Sequence, residues 1–544
     1  MRELIGLLSR YNKIDRRKVN CTVFFFYFAC VILIMIFHEP SWDESNAWLI
    51  ARSASYKDMI FHISHYEGHP PLWHLMLSIP AKLGLPFEIS LKGIQVICCS
   101  SMILVFLRKS PFNNYVRSII PFTYFLLYQF GVIARPYALL SALIFLSADA
   151  VMERNKKPLY LVMVLAGLCL VSAFGIAIAG GIAVAWVVEI IRGSVKAKRG
   201  ILDLFENKRR LAGFICLLLT AIVQILLIWP AQDNSIARLN VVGSAGDAAK
   251  RMIRFVFLIP SESALTSFVQ DGQINNPDLD TNQFIFAGVI SGVLIIMTIR
   301  RLIKAKQTLF FVLPFVFFGV VAVNYLFAHH IGIVFVLFVY SVWISDVKED
   351  NQGRVNKYFR LVEQIICALI CVIGVYWSMT SSINDIVYQS DCGRKLKEWF
   401  SQFDNPQIAA SFYITGKEND TYSFDSGIGS FVPVAPYFEP GILCNPYATD
   451  YVITEANKNF TADMVIEMTQ TMQPPEFVFS VGSPSVTDTY LHQLNTDLKY
   501  IPVHMEPVVD RGYIFKDATL SVNGVIIYAR EDICEKYKLQ SIVL

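Results

Sequence analysis

Four groups of residues in this chain have side chains suited to chemistry. They are the acidic pair in Trp42-Asp43-Glu44, the carboxylate and imidazole in Glu67-Gly68-His69-Pro70-Pro71-Leu72, the arginine in Ala134-Arg135-Pro136-Tyr137, and the pair His329-His330. A carboxylate can accept a proton from a weakly acidic hydroxyl and so make it a better nucleophile. Asp43 and Glu44 therefore read as base or substrate anchor, set against an acidic pair that only ends a helix. Glu67 and His69 read as groups facing a reacting centre, set against a passive polar cap. An arginine fork donates paired charge-assisted hydrogen bonds, which suits a phosphate. A snorkelling arginine is the alternative for Arg135. Adjacent helical residues diverge by roughly 100°, so His329 and His330 cannot easily share one metal ion. The expectation is that one of them points into a site. No cofactor is called for, and a divalent metal stays an option.

Positioning these groups falls to apolar segments. Of the 544 residues 54% are hydrophobic and only 17% charged, with a mean hydropathy of +0.46. A soluble protein carries about 25% charged residues. The apolar excess falls in runs of roughly 16–22 residues separated by charged loops, the spacing of membrane spans. Ionisable groups beside such runs are costly and are functional suspects by default. The runs stop near Asp391. The expected organisation is a basic tail over 1–20, an α-helical polytopic membrane module over 21–380 with loops 39–88 and 231–282, and a soluble α/β or α+β domain over 381–544. Cys21–Phe37 is followed by no small-residue cleavage site and reads as a retained helix.

Helices are expected over 21–38, 89–107, 117–134, 137–152, 158–173, 175–191, 211–230, 283–299, 308–328, 331–346 and 361–379. The segment 70–87 is apolar but short and interrupted by Pro80 and Pro86. Lysine and arginine decide whether it spans, because they favour the cytoplasmic side. If 70–87 stays at the outer surface, six strongly basic segments fall inside: the N-terminal tail, Arg108 to Arg117, Arg154 to Lys157, Arg192 to Arg210, Arg300 to Lys306 and Lys348 to Arg360. The outer loops then hold only Arg52, Lys57, Lys82, Arg135, Arg238, Lys250, Arg251 and Arg254. The expected topology is eleven spans in the plasma membrane, N-terminus cytoplasmic and C-terminal domain extracytoplasmic. Asp43, Glu44, Glu67, His69, Arg135, His329 and His330 then all meet at the outer face, as an active site at the membrane boundary would require.

Other features are less pointed. Ala47–Ile63 reads as an amphipathic stretch lying on the outer leaflet and flooring a cavity, or as a surface loop. Loop 231–282, with Ser261-Glu262-Ser263 and Asp271, reads as a lid. The eleven cysteines follow no metal-ligand pattern; Cys392, Cys444 and Cys534 leave room for one disulfide. In the C-terminal region Gly393–Phe403 reads as helix, and Gln407–Ile414, Tyr451–Thr454, Glu476–Ser480 and Val522–Ala529 read as strands. Asn419-Asp420-Thr421 and Asn459-Phe460-Thr461 are glycosylation sequons that matter only in a glycosylating host. No phosphate-cradling glycine loop stands in a strand–turn–helix context, and nothing calls for a nucleic-acid partner.

Taken together, Trp42-Asp43-Glu44 beyond a first helix, Gly68-His69-Pro70-Pro71-Leu72, Arg135-Pro136-Tyr137-Ala138-Leu139 and His329-His330 resemble the GT-C glycosyltransferases of the dolichyl-phosphate-mannose-protein mannosyltransferase type, glycosyltransferase family 39. The resemblance covers roughly residues 20–345. It implies a GT-C-like fold and a polyprenyl-phosphate-linked sugar donor. The sugar would pass, usually with inversion, to an extracytoplasmic protein, lipid or cell-surface glycan. By position it implies Asp43 as catalytic carboxylate with Glu44 beside it, His69 near the donor and Arg135 at the carrier phosphate; the residues themselves add Glu67, Tyr137, His329 and His330 as substrate-binding candidates. The chain departs from the pattern at the turn after the fifth helix, where many members carry a histidine and this sequence reads Ser172-Ala173-Phe174-Gly175. A transporter or flippase of lipid-linked glycans predicts charges in mid-helix and internal repeats, neither of which stands out. A glycan polymerase or ligase is chemically closer.

Overall fold

The computed structural model describes residues 10–196, 208–234, 237, 243–266, 281–346, 354–388, 391–418, 421–445, 448–453, 460–461, 473–481, 498–508 and 524–543. Among the described residues, six helices are long and apolar enough to cross a membrane: α1 (Arg16–Phe37), α4 (Phe87–Lys109), α8 (Ala173–Lys196), α9 (Lys208–Ile228), α11 (Thr281–Ala305) and the Val362–Val387 part of α14 (Arg354–Val387). Between them pack α6 (Tyr137–Glu153), α7 (Pro158–Val171), α12 (Leu309–Tyr325) and α13 (Ile331–Ile344). α13 is buried along nearly its whole length. The long spans instead expose large apolar side chains such as Phe25, Ile97, Leu219, Ile296 and Val372. Apolar surface facing outward from a bundle is what lipid contact stabilises. The chain is therefore an integral membrane protein.

At one end of the bundle Arg16 donates to the carbonyl of Ser110 at 2.5 Å, Arg117 to that of Phe112 at 2.7 Å, Arg154 pairs with Glu189 at 2.5 Å and Arg301 with Glu363 at 3.5 Å. The other end carries the C-terminal domain.

Three expected segments look different. The span expected over 117–134 is broken into α5 (Asn114–Ile119), a 3-10 turn over Ile120–Phe122 and a π turn over Phe125–Gln129. Pro121 supplies no amide hydrogen for a continuous ladder. At Gly131 an added Cβ would collide with the Leu127 carbonyl. Only glycine fits the tight turn there, and the chain runs on irregularly up to Arg135. Within the expected loop 231–282, α10 (Ala245–Leu265) packs against α11, α12 and α13. Its apolar stripe Phe255, Leu258 and Ile259 has helical spacing. Polar flanks mask that stripe in the sequence. Ser261, Glu262 and Ser263 are buried inside α10, and the Ser261 amide donates to Ser291 Oγ. Asp271 lies outside the described residues, as do Asn419 and Asn459 of the two sequons.

The third difference concerns the expected amphipathic stretch. Helix α2 (Trp42–Ser53) starts earlier than Ala47, capped by Ser41. Residues Glu44–Ala51 are all buried, between α3, the bundle and the C-terminal domain. Trp42 Nε1 donates to the Gly429 carbonyl at 2.7 Å, Asn46 exchanges hydrogen bonds with Val452, and Arg52 donates to the Phe438 carbonyl at 2.7 Å. The segment 70–87 holds only the 11-residue helix α3 (Leu72–Lys82), packed on α2. At about 1.5 Å per residue it is too short to cross.

The C-terminal domain has an α/β core. Strands β1 (Ile408–Ala410), β5 (Phe477–Val481), β7 (Val525–Arg530) and β6 (Tyr500–Glu506) lie in the order β1-β5-β7-β6, with β1 parallel to β5 and the other pairs antiparallel. Helices α15 (Gly393–Phe400) and α16 (Glu531–Tyr537) pack on it, with Phe400, Phe403 and Phe477 at the centre. Strands β2 (Phe412–Glu418), β3 (Thr421–Ser426) and β4 (Phe460–Thr461) form a separate sheet. Of the strand expected over Tyr451–Thr454, the described residues Tyr451, Val452 and Ile453 are irregular and dock on Asn46 through Val452. Strand β6 was not expected. Its apolar alternation is interrupted by Pro502 and His504, where the pairing also shifts register. Cys392, Cys444 and Cys534 are free thiols, so the sequence's room for a disulfide is not used.

Candidate active site

The irregular turn ending at Arg135, the first turn of α2, the segment before α3 and the turn before α13 meet at the end of the bundle that carries the C-terminal domain. Asp43 sits in the first turn of α2 with its side chain 49% exposed, and its Oδ2 lies 3.0 Å from Arg135 Nη1. Arg135 is mostly buried, its guanidinium 5.9 Å from the Tyr137 ring. Burial disfavours its charge, yet Asp43 beside it raises its pKa above the usual arginine value. The two residues form a cation–carboxylate pair open on one side.

Behind the pair lies a set of rings. Tyr137 is buried, with its Oη 2.8 Å from His330 Nε2 and 3.5 Å from His69 Nε2. The Phe327 amide donates to His330 Nδ1 at 3.0 Å. That bond makes Nδ1 the acceptor, so in the neutral ring the proton sits on Nε2 and is donated to Tyr137 Oη. The tyrosine hydroxyl hydrogen is then left to point elsewhere. His329 stacks on Phe327 at 5.8 Å and lies 5.5 Å from the Tyr137 ring, so both histidines of the pair face this tyrosine.

Gly68, at φ +65°, turns the chain between Glu67 and the Pro70-Pro71 step and brings both Glu67 and His69 to the site. Non-glycine residues resist that backbone conformation. Burial raises the Glu67 pKa to about 7, against the opposing pull of Arg135 and with the help of Asp43. Burial, with Arg135 nearby, lowers that of His69 to about 3 and keeps the imidazole neutral. His74, one helical turn further on, is likewise pushed down to about 4 by burial and then by Arg135. Among the described residues, no three histidine, cysteine, aspartate or glutamate side chains are placed to hold a metal ion.

Glu44 stands apart from the others. It is 1% exposed and its carboxylate is fully engaged. Oε2 accepts from the Ser41 amide and hydroxyl, each at 2.8 Å, and Oε1 from the Ala134 amide at 2.5 Å. His38 Nε2 lies 3.1 Å from Oε2, and His38 Nδ1 lies 2.7 Å from Asp385 Oδ2. Sequence reasoning missed His38 and Asp385 as partners. A histidine two residues before Pro40 was the only local signal. Nothing local marks Asp385.

The C-terminal domain is latched beside this site. Glu88 accepts from Arg394 Nε and from the Tyr437 hydroxyl, both at 2.5 Å, and from Lys92 at 2.6 Å. Lys92 and Arg394 also donate to the His38 carbonyl.

No family model matches the chain, and no curated protein matches it. Among solved structures it is similar to the crystal structure of ArnT from Cupriavidus metallidurans in the apo state, at 12% identity and a TM-score of 0.37, with 94% of this chain and 99% of that chain covered. A likeness that weak carries no weight for function, which has to be read from the site itself.

Proposed function

We propose that the chain is a membrane glycosyltransferase that moves a sugar from a polyprenyl-phosphate donor to an acceptor hydroxyl, with inversion, on the membrane face that carries the C-terminal domain. That face is extracytoplasmic by the charge pattern. The observation that carries the reading is the half-exposed Asp43 carboxylate 3.0 Å from Arg135, backed by the Tyr137–His330 pair. A carboxylate beside a cation and a phenol hydroxyl matches a reaction in which a hydroxyl attacks and a phosphate departs.

In the resting site Arg135 is occupied by Asp43. An incoming donor phosphate competes for the same guanidinium, and its bidentate geometry favours the exchange. Asp43 is then released toward the acceptor. The acceptor oxygen forms a bond to the anomeric carbon as the carbon–oxygen bond to phosphate breaks. The hydroxyl proton passes to Asp43 Oδ, and the bonding electron pair leaves on the phosphate oxygen. Arg135 and the Tyr137 hydroxyl receive that charge. A single displacement inverts the anomeric centre. His69 is held neutral and lies within reach as a hydrogen-bonding partner, and Glu67 sets the local charge. Glu44 has no share in the chemistry under this reading. It holds α2 and the Ala134 turn in place.

The test is transfer by the purified full-length protein in detergent, with a panel of polyprenyl-phosphate sugars, comparing wild type with Asp43→Asn. Transfer by the wild type and loss in the variant, with donor binding retained, supports the reading. Full activity in Asp43→Asn ends it.

A further inference from the structure

We infer that His38 is a positioning residue for this site: by bridging Glu44 and Asp385 it fixes the start of α2 and, through Glu44, the turn that carries Arg135. The inference rests on the glycosyltransferase reading for its effect on turnover, and on geometry alone for the bridge.

His38 is fully buried just past the end of α1, with one ring nitrogen on each carboxylate at 2.7 and 3.1 Å. A neutral imidazole donates from only one nitrogen, so the other would face carboxylate lone pairs. Satisfying both contacts requires a proton on each nitrogen. Burial opposes that charge, but Asp385 and Glu44 outweigh it and hold the His38 pKa up to about 9. The charged groups around the ring are Glu44 from α2, Asp385 from α14, Glu39 beside it, Glu88 and Lys92 from α4, and Arg394 from α15. Lys92 and Arg394 are partnered by Glu88 and contact only the His38 carbonyl, so the ring itself answers to the two carboxylates.

The mechanical consequence follows from sequence adjacency. Asp43 precedes Glu44, and Arg135 follows Ala134, whose amide is on Glu44 Oε1 at 2.5 Å. In the 3.0 Å Asp43–Arg135 pair, Asp43 is thus one residue from Glu44 and Arg135 one residue from an amide that Glu44 holds. Neutral His38 keeps a single ring hydrogen for two carboxylates, so one of its two contacts weakens. Where that contact is the one to Glu44, the carboxylate is left to Ser41 and Ala134, and the start of α2 and the Ala134 turn lose their tie to α14.

The test uses the full chain in detergent with His38→Gln, Asp385→Asn and the double variant. Wild-type kcat should fall along a basic limb near pH 9. In His38→Gln, kcat should drop about tenfold or more at neutral pH with donor KM within about twofold, and the limb should vanish. Wild-type turnover in His38→Gln, or persistence of the limb in it, overturns the inference. Should His38→Gln fail to fold, Asp385→Asn decides: with one carboxylate gone the limb must move to lower pH, and an unmoved limb overturns the inference. If the wild type transfers no sugar from any donor, the functional reading fails while the bridge stays testable by melting. The folded pKa lies above the ordinary 6.5, so the bridge's contribution is whole below pH 6.5 and lost as pH rises through about 9. The wild-type melting temperature should fall over that window, and at lower pH in Asp385→Asn. Coincident curves overturn the bridge.

Discussion

Asp43 and Glu44 are neighbours of the same chemical type, and their surroundings predict opposite consequences for the same substitution. Glu44→Gln keeps the side-chain shape but replaces one carboxylate oxygen with an amide that only donates. Glu44 faces three donors in Ser41 N, Ser41 Oγ and Ala134 N, besides His38. Whichever way the amide turns, its hydrogens meet another donor. Each hydrogen bond to a charged group is worth about 1.5–3 kcal/mol, and breaking one partner of a buried ion pair costs about 3–5 kcal/mol. Because these terms overlap, the expected loss is about 3–5 kcal/mol, a large share of a total stability of about 5–15 kcal/mol. Asp43→Asn removes a half-exposed carboxylate whose pairing stabilises by about 1 kcal/mol or less. It should unfold close to wild type and lose transfer by about 10²–10⁴-fold, the range for a missing general base. Thermal unfolding in detergent, followed by tryptophan fluorescence, alongside the transfer assay separates the two effects. If Glu44→Gln unfolds at the wild-type temperature, the idea that Glu44 is a structural keystone is refuted.

Three further outcomes are expected. Burial holds the Glu67 pKa at about 7, and its charged form repels a donor phosphate, so donor KM should rise as pH climbs through 7, with the dependence absent in Glu67→Gln. Tyr137→Phe removes a hydroxyl that accepts from His330 and donates toward the leaving phosphate; kcat should fall about 10–100-fold, with stability lowered by about 1–3 kcal/mol because the buried His330 Nε2–H loses its acceptor, and a kcat within twofold of wild type would remove the phenol from the mechanism. Glu88→Ala removes the common acceptor of Arg394, Tyr437 and Lys92, so limited proteolysis should release the C-terminal domain faster than in wild type, and equal rates would show that the latch contributes little.

Much of this protein is written locally. A run of apolar residues long enough to span a bilayer reads as a helix wherever it stands, because hydropathy adds along the chain, and so the six long apolar helices were legible from single segments, while others of the eleven expected spans are shorter or broken among the described residues. The chemical groups were legible by type: an aspartate and an arginine beside such runs need a reason to be there, and they do meet. What needed the tertiary structure is every role set by a distant partner. The same sequence pattern, Asp-Glu, yields one exposed carboxylate and one saturated by residues 38, 41 and 134, with residue 385 behind the first of them; a helix of 100° per residue puts neighbouring side chains on different faces, and only the packing says what waits at each. Helix α10 was hidden by its polar flanks, and the span expected over 117–134 is broken at Pro121 and gives way to a tight turn that only glycine fits at 131. Local pattern decides which elements form; long-range contact decides which of their side chains remain available for chemistry.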